Sequence, residues 1–203
     1  AWMAAKAVQM QKDNGWARFV AGQYHYNLLG RDIEYEIVPA AIDAGVGLMC
    51  YSPLASGKLS GKYSKENPTG DNGRLSQINL LTAQNDEKAE KVLAVARDIA
   101  ARHKVPVSAV ALAWVMEQDA VSTVILGANN SNQLEQNLLA AKLDLSADDI
   151  AALSESGKPT DMYPFAMLKA LGDGSSADPR TRNHAPTLPK TGRWAPKPIV
   201  KPE

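Results

Sequence analysis

Apolar positions recur along this chain with two spacings, one typical of helices and the other of buried strands. Between residues 86 and 103 they repeat at the 3.6-residue period of a single helix face. Ser146 followed by Asp149 has the arrangement of a capping box and indicates a last short helix. The predicted helices are 2–12, 32–44, 86–103, 107–117 and 130–141, and the predicted strands are 19–24, 46–50 and 121–126.

The order of these elements favours an α/β architecture, because strands that alternate with helices form parallel sheets with crossover connections. Three short strands make a small sheet, and both of its edges stay open. The pattern therefore predicts part of a larger fold, or a protein that needs a partner to close its sheet.

The character of the chain changes at Gly157. Eight of the twelve prolines lie between there and the end, and residues 172–176 form a glycine- and serine-rich hinge. We therefore predict two parts, a packed portion over 1–156 and a proline-rich tail over 157–203 that is extended or disordered. The apolar cluster at 162–168 is an exception that could dock on the packed portion.

Charge and cysteine content limit the classes of partner and the cellular compartment that are expected. The formal net charge is zero, so no global field favours nucleic acid or a membrane as partner. The single cysteine, Cys50, excludes an internal disulfide and fits a reducing compartment. No apolar run approaches the roughly 20 residues that span a bilayer. A cytoplasmic location is expected.

Candidate chemistry is concentrated in residues 45–63. Gly45 can end a helix in the left-handed conformation, and the following strand opens into a loop with Gly57, Gly61 and three serines. Lys62 adds a positive charge. Backbone N–H groups among small side chains suit a phosphate or pyrophosphate. The alternative is an ordinary tight connection in an α/β protein.

Three segments carry a family resemblance. Residues 23–31 with Glu34 resemble the Q-x-x-Y-N-L-L-x-R-x-x-E segment of aldo-keto reductases. Residues 51–63 are similar to the Y/W-S-P-L-x-x-G-x-L-x-G-K-Y loop of the same family, and 124–137 resemble its I-x-G-x-x-x-x-x-Q-L-x-E-N segment. Their order and separations are also similar to those of the family, and the chain resembles its bacterial branch, which is related to potassium-channel β subunits.

The resemblance implies the C-terminal part of a (β/α)8 TIM barrel, strands six to eight, with an extended C-terminal tail. It also implies NADP(H) as cofactor. The residues that transfer to the cofactor site are Gln23, Tyr51, Ser52, Pro53, Leu54, Ala55, Ser56, Lys62, Arg74, Gly127, Asn129, Gln133, Gln136 and Asn137.

Each group of residues has an implied role. Gln23 would bind the nicotinamide carboxamide, Tyr51 would stack on the nicotinamide, and the loop after Tyr51 would line the pyrophosphate. Lys62 and Arg74 would meet phosphates. The 2′-phosphate end would be shaped by Gly127 and Asn129 with Gln133 nearby, and adenine would be contacted by Gln136 and Asn137. The family usually has Glu at the position of Gln136, so adenine affinity is expected to differ.

Structural interpretations of the same residues stay open. Gln23 could be a polar strand end bonded to backbone, Tyr51 could be core, and Lys62 and Arg74 could be solvated. Asn137 could cap or bridge helix backbone. No metal site is predicted, because neither His25 nor His103 has a partner at metal-ligand spacing.

No catalytic residue is assigned, because the Asp, Tyr, Lys and His of the family align with no position here. The resemblance implies an NADP(H)-dependent oxidoreductase that reduces an aldehyde or ketone, and this chain alone is expected to be inactive. The alternatives are a non-catalytic nicotinamide-nucleotide-binding subunit and an inactive truncated product. The partner that closes the sheet would be a missing N-terminal half or another copy.

Overall fold

The computed structural model describes residues 1–62, 86–161 and 163–167. Arg74 and most of the predicted tail lie outside these residues. Within the described part, the helices are α1 (Trp2–Asp13), α2 (Ile37–Ala44), α3 (Asp86–His103), α4 (Val107–Met116), α5 (Ser131–Leu138) and α6 (Ala147–Ser156). The strands are β1 (Ala21–His25), β2 (Gly47–Tyr51) and β3 (Val121–Val124).

The three strands form one parallel sheet in the order β1-β2-β3. Gln23 pairs with Met49 and Cys50 pairs with Val124, and an irregularity between Leu48 and Met49 shifts the register with β3. The prediction of a small parallel α/β sheet is confirmed. Its assignment to strands six to eight of a barrel stays a prediction.

Helices cover one face of this sheet. Leu48 and Cys50 point to that face and are fully buried, as are most residues of α4. Burial of the Cys50 thiol raises its pKa to about 12, which fits the predicted buried small residue rather than a nucleophile. The alternate residues of β2, including Met49 and Tyr51, are only partly buried. The sheet therefore keeps one open face within the described residues.

Several element boundaries differ from the predicted ones. The first strand begins at Ala21 rather than residue 19, since its pairing with β2 starts with Ala21 opposite Gly47. Phe19 and Val20, which precede it, are 53% and 81% exposed. In the predicted helix 32–44, residues 32–34 form a 3-10 turn and the α-helix starts only at Ile37. This places Pro39 in the first turn, where its missing N–H breaks no helical hydrogen bond.

The ends of β3 and α5 come earlier than predicted. The third strand stops at Val124, and Ile125 continues it by only a single bond from its N–H to the Cys50 carbonyl. The helix after Asn130 ends at Leu138 and passes into a 3-10 turn over Leu139–Lys142.

Three predictions hold at residue level. Helix α3 spans 86–103, and Gly45 ends α2 in the left-handed conformation with φ 66°. The capping box is also present: Ser146 Oγ accepts from the Asp149 N–H at 3.1 Å, and Asp149 accepts from the Ser146 N–H at 3.2 Å.

The start of the predicted tail contacts the packed portion. The Tyr35 hydroxyl donates to the Thr160 carbonyl at 2.9 Å, and the Tyr35 and Phe165 rings lie 4.8 Å apart. These contacts agree with the expected docking of the 162–168 cluster, of which residues 162 and 168 lie outside the described residues. No helix in the described ranges has the length and apolarity to span a bilayer.

Candidate functional site

The two residues that were predicted to contact the nicotinamide lie on the open face of the sheet. Gln23 is exposed in β1 and pairs with Met49, and Tyr51 lies two residues further along β2 on the same side. Among the described residues the Gln23 side chain makes no hydrogen bond. The alternative that its amide is hydrogen-bonded to the backbone is therefore not what the structure shows. Tyr51 is half-buried at the strand end and is not part of the core.

The loop after β2 has an unusual backbone. Ser52, Ala55 and Ser56 adopt φ values of 53°, 50° and 56°, and Gly57 has φ 96°. The left-handed region costs a non-glycine residue about 1–2 kcal/mol. Such strain persists where surrounding structure imposes it, and it concentrates at ligand and active sites.

Hydrogen bonds within this loop use part of its donor set. The N–H of Ala55 donates to the Ser52 carbonyl at 3.0 Å, and that of Gly57 donates to the Leu54 carbonyl at 2.9 Å. The Ser52 hydroxyl accepts a longer bond of 3.3 Å from the Ser56 N–H. Among the described residues, neither the Ser52 nor the Ser56 hydroxyl donates a hydrogen bond. The loop can therefore offer hydroxyl donors to an anion more readily than the N–H groups of Ala55 and Gly57.

The alternation of burial in the loop separates its residues into two sets. Pro53 and Ala55 are buried, whereas Ser52, Leu54 and Ser56 are partly exposed. A bound pyrophosphate would meet the second set, while the first anchors the loop. Lys62 is exposed at the end of this segment, and Arg74 lies outside the described residues.

The segment after β3 is held by Gln133. Its side-chain oxygen accepts from the Asn129 N–H at 2.9 Å, and its own N–H donates to the Asn130 side chain, which caps α5. Gly127 is exposed, and a Cβ built there would meet no atom within 4 Å. Gln133 therefore shapes the backbone at Asn129. The role of this segment at the 2′-phosphate end stays a prediction.

Asn137 provides a test of whether a dinucleotide fits. Its side chain is in α5 and only 6% exposed, yet among the described residues its amide has no hydrogen-bond partner. Buried amides are almost always paired. An adenine edge offers an amino donor beside a ring-nitrogen acceptor, which an asparagine amide can match. Gln136 is exposed immediately before it. The donor set therefore fits the predicted adenine end of NADP(H).

Asn27 is a further residue of this site, and its role was not evident from the sequence pattern. Its side chain is fully buried at the exit of β1, and its Nδ2 donates to the Ser52 carbonyl at 2.9 Å. Its Oδ1 accepts from the N–H groups of Leu29 and Gly30. The signal was an asparagine three residues before a glycine at a strand end, a composition that favours a side-chain-stabilised turn.

A buried ionic cluster supports this turn from behind. Arg31 forms a two-bond pair with Glu34, at 2.7 and 2.9 Å, and donates to the Ser154 carbonyl of α6. The Tyr26 hydroxyl donates to Glu34 at 2.6 Å. Burial, together with the Glu34 carboxylate, raises the pKa of Tyr26 far above its usual range. Arg31 also lies over the Trp114 ring at 5.1 Å, so the turn after β1 is fixed to α4 and α6.

Known proteins are similar in sequence to much of this chain. The profile of the Aldo/keto reductase family matches residues 2–158. Identity is 34% to an aldo-keto reductase of Fusarium vanettenii (71% of this chain, 38% of that protein) and 35% to Protein tas of Escherichia coli strain K12 (67% and 39%). It is 31% to an aryl-alcohol dehydrogenase of Pestalotiopsis microspora (83% and 42%). The chain thus spans about two fifths of the length of these relatives, and it belongs to the aldo/keto reductase family.

Proposed function

We propose that this chain supplies the dinucleotide-binding strands of an NADP(H)-dependent aldo-keto reductase that reduces an aldehyde or ketone to an alcohol. In this proposal β1, β2 and β3 are the sixth, seventh and eighth strands of a (β/α)8 barrel, whose ligands bind at the carboxyl ends of the strands. The observation that carries the proposal is the shared open face of Gln23 and Tyr51 beside the strained loop 52–57.

Each part of the site then has a binding role. Gln23 holds the carboxamide, Tyr51 packs on the nicotinamide ring, and Ser52, Leu54 and Ser56 line the pyrophosphate. NADP(H), when bound, supplies the hydride, and the protein orients it. The remaining contacts are phosphate contacts of Lys62 and Arg74, 2′-phosphate contacts of Gly127, Asn129 and Gln133, and adenine contacts of Gln136 and Asn137.

The names of similar proteins support an oxidoreductase. Besides the aryl-alcohol dehydrogenase, they include a versiconal hemiacetal acetate reductase of Aspergillus parasiticus, 24% identical over 151 residues. The 203 residues by themselves bind the cofactor without turnover, because the catalytic Asp, Tyr, Lys and His of the family align with none of them. A non-catalytic nucleotide-binding subunit would bind in the same way, and it differs only in lacking turnover when the remaining strands are present.

Binding is the first test, because it needs no catalytic group. We expect isothermal titration calorimetry of the 203-residue chain to detect NADP⁺ binding. Gln23→Ala and Tyr51→Ala should each weaken it at least tenfold. Gln9→Ala, which removes an exposed glutamine from α1, should leave the affinity unchanged. Absence of binding, or equal losses in all three variants, would refute the site.

Turnover is the second test. With NADPH and a panel of aldehydes, absorbance at the nicotinamide band should stay constant for the isolated chain. Clear NADPH consumption that requires the aldehyde would refute the assignment of inactivity. Joined to the other strands of a family barrel, the chain should restore turnover, and failure there with intact binding would favour the non-catalytic subunit.

A further inference from the structure

The hydrogen bonds of Asn27 fix the orientation of its amide. One atom of the amide lies 2.9 and 2.8 Å from the N–H groups of Leu29 and Gly30, and because both neighbours are donors this atom is the oxygen. The amide nitrogen therefore points the other way. It lies 2.9 Å from the Ser52 carbonyl and 3.2 Å from Nε2 of His25.

This orientation fixes the tautomer of His25. Since the Asn27 nitrogen carries only hydrogens toward the ring, His25 Nε2 must accept, and the imidazole proton lies on Nδ1. A protonated imidazole would turn an N–H toward an N–H and break the contact. Burial lowers the pKa of His25, with Asp32 acting against it, so the neutral ring is the favoured form near pH 7. Within the described residues, the other titratable group facing the ring is Tyr51.

His25, Asn27 and the backbone of Tyr26 contact the last residue of β2 and the first residue after it. The His25 ring lies 5.4 Å from the Tyr51 ring, and the Tyr26 N–H donates to the Tyr51 carbonyl at 3.4 Å. The next carbonyl, that of Ser52, is the one that Asn27 binds. Ser52 is also the first residue of the loop in the left-handed region. The exit of β1 thus restrains Tyr51 through its ring and Ser52 through its backbone.

We propose that neutral His25 and Asn27 form a positioning pair that holds Tyr51 and Ser52 in the conformation for dinucleotide binding, so that protonation of His25 weakens binding. Neither residue touches the cofactor in this proposal. The link to binding rests on the proposed function, whereas the positioning itself does not.

Nuclear magnetic resonance tests the positioning without any cofactor. With ¹⁵N-histidine in the full 203-residue chain, long-range ¹H–¹⁵N spectra should show the Nδ1–H tautomer of His25 at pH 7.5. On acidification the Tyr51 and Ser52 amide signals should shift with the same midpoint as His25. His25→Gln should abolish that shift. An Nε2–H tautomer, or amide signals that ignore His25, would overturn the proposal.

Cofactor affinity tests the consequence. Asn27→Asp places a carboxylate oxygen against the Ser52 carbonyl and should weaken NADP⁺ binding more than tenfold at pH 7.5, with an unchanged far-ultraviolet circular dichroism spectrum. His25→Gln keeps a neutral acceptor and should bind within threefold of the parent. Because burial lowers the pKa of His25 from its ordinary value of 6.5, the parent should lose affinity more steeply than His25→Gln does as the pH falls below 6.5. The 2′-phosphate also titrates in this range, but equally in both proteins.

His103→Gln is the matched control, because His103 lies on α3 against Asp149, away from the loop. It should keep the full pH dependence of the parent. If His25→Gln keeps it as well, the positioning pair is refuted while the cofactor site stands. If the parent binds no NADP⁺ at any pH, the proposed function fails, and the tautomer and amide shifts alone decide the positioning pair.

Discussion

Asp149 is a buried carboxylate at the N-terminus of α6, 3% exposed, with partners on two elements. Burial by itself would raise its pKa, but hydrogen bonds from His103, Arg102 and Ser146 outweigh burial and hold the pKa well below its usual range. The charged form is thus favoured by folding. Its contribution to stability is present above the unfolded pKa of about 4 and disappears as the pH falls through the lower folded value.

Asp149→Asn is therefore expected to lower the free energy of unfolding at pH 7 by about 2 kcal/mol, through loss of charged hydrogen bonds and a weaker cap. Urea unfolding at pH 7 and at pH 3 measures this, and the difference from the parent should shrink at pH 3. Asp148→Asn removes the same charge from an exposed position in the same turn and should change little. Equal effects of the two substitutions would contradict the buried network.

Gly45 shows how one backbone angle ends an element. It has φ 66° after α2, and a Cβ added there would meet no atom within 4 Å. The cost of Gly45→Ala is therefore conformational alone, about 1 kcal/mol. Gly127 has equally open surroundings without a positive φ, so Gly127→Ala should not lower stability. Chemical denaturation measures the free energy of unfolding of both variants. Equal losses would mean that the positive φ of Gly45 does not determine the cost of substitution.

At the scale of elements, local patterns were predictable and long-range pairings were not. The apolar stripe that begins at Ala89 predicted α3, and the capping residue Ser146 predicted the start of α6. Both signals are local, since each involves residues of a single helix. The late start of α2 required knowing that Asp32 and Ile33 turn as a 3-10 segment. The contact between Asn27 and Ser52 forms because the ends of two strands lie side by side. The spacing of apolar residues along the sequence does not predict such a contact.

The same distinction applies to the candidate site. Motif resemblance brought forward Gln23 and Tyr51, and the structure places both on one face of the sheet. The motifs could not show that the Asn137 amide has no hydrogen-bond partner among the described residues, because that depends on what surrounds α5. Nor could they show that the chain after α6 passes so close to the Leu28 carbonyl that only glycine fits at position 157.

Arg31 couples three elements, so its removal tests how they are joined. Arg31→Met should lower stability by about 3–5 kcal/mol, because Glu34 stays buried without its paired cation and α6 loses a donor at Ser154. Glu34→Gln in the Arg31→Met background should restore part of that loss. Equilibrium unfolding of the parent, both single variants and the double variant gives the coupling.

An exposed pair serves as the control for this cycle. Arg102 and Asp98 are 54% and 73% exposed on α3 and lie 3.2 Å apart. Asp98→Asn should change stability by less than about 0.5 kcal/mol. Additive effects of the Arg31 and Glu34 substitutions would show that these two buried side chains are not energetically coupled.

At the scale of the whole molecule, burial is distributed unevenly among the helices. Eight consecutive residues of α4, Ser108–Val115, are buried, whereas α1 has no buried residue. The helix against the covered face of the sheet therefore carries the core, and the helix before β1 contributes little to it. Stability follows burial locally, and segments with few buried contacts open first.

Hydrogen exchange should reveal this order. In the 203-residue chain, amides of α1 are expected to exchange at least a hundredfold faster than those of α4, which open only when the core unfolds. The two helices also offer a matched pair of substitutions. Trp2→Ala removes a side chain that is 69% exposed and should change stability by less than about 0.5 kcal/mol, whereas Leu112→Ala should cost about 2–5 kcal/mol. If α1 and α4 exchange at the same rate, α1 must be part of the cooperative core, and its lack of buried residues would not decide its stability.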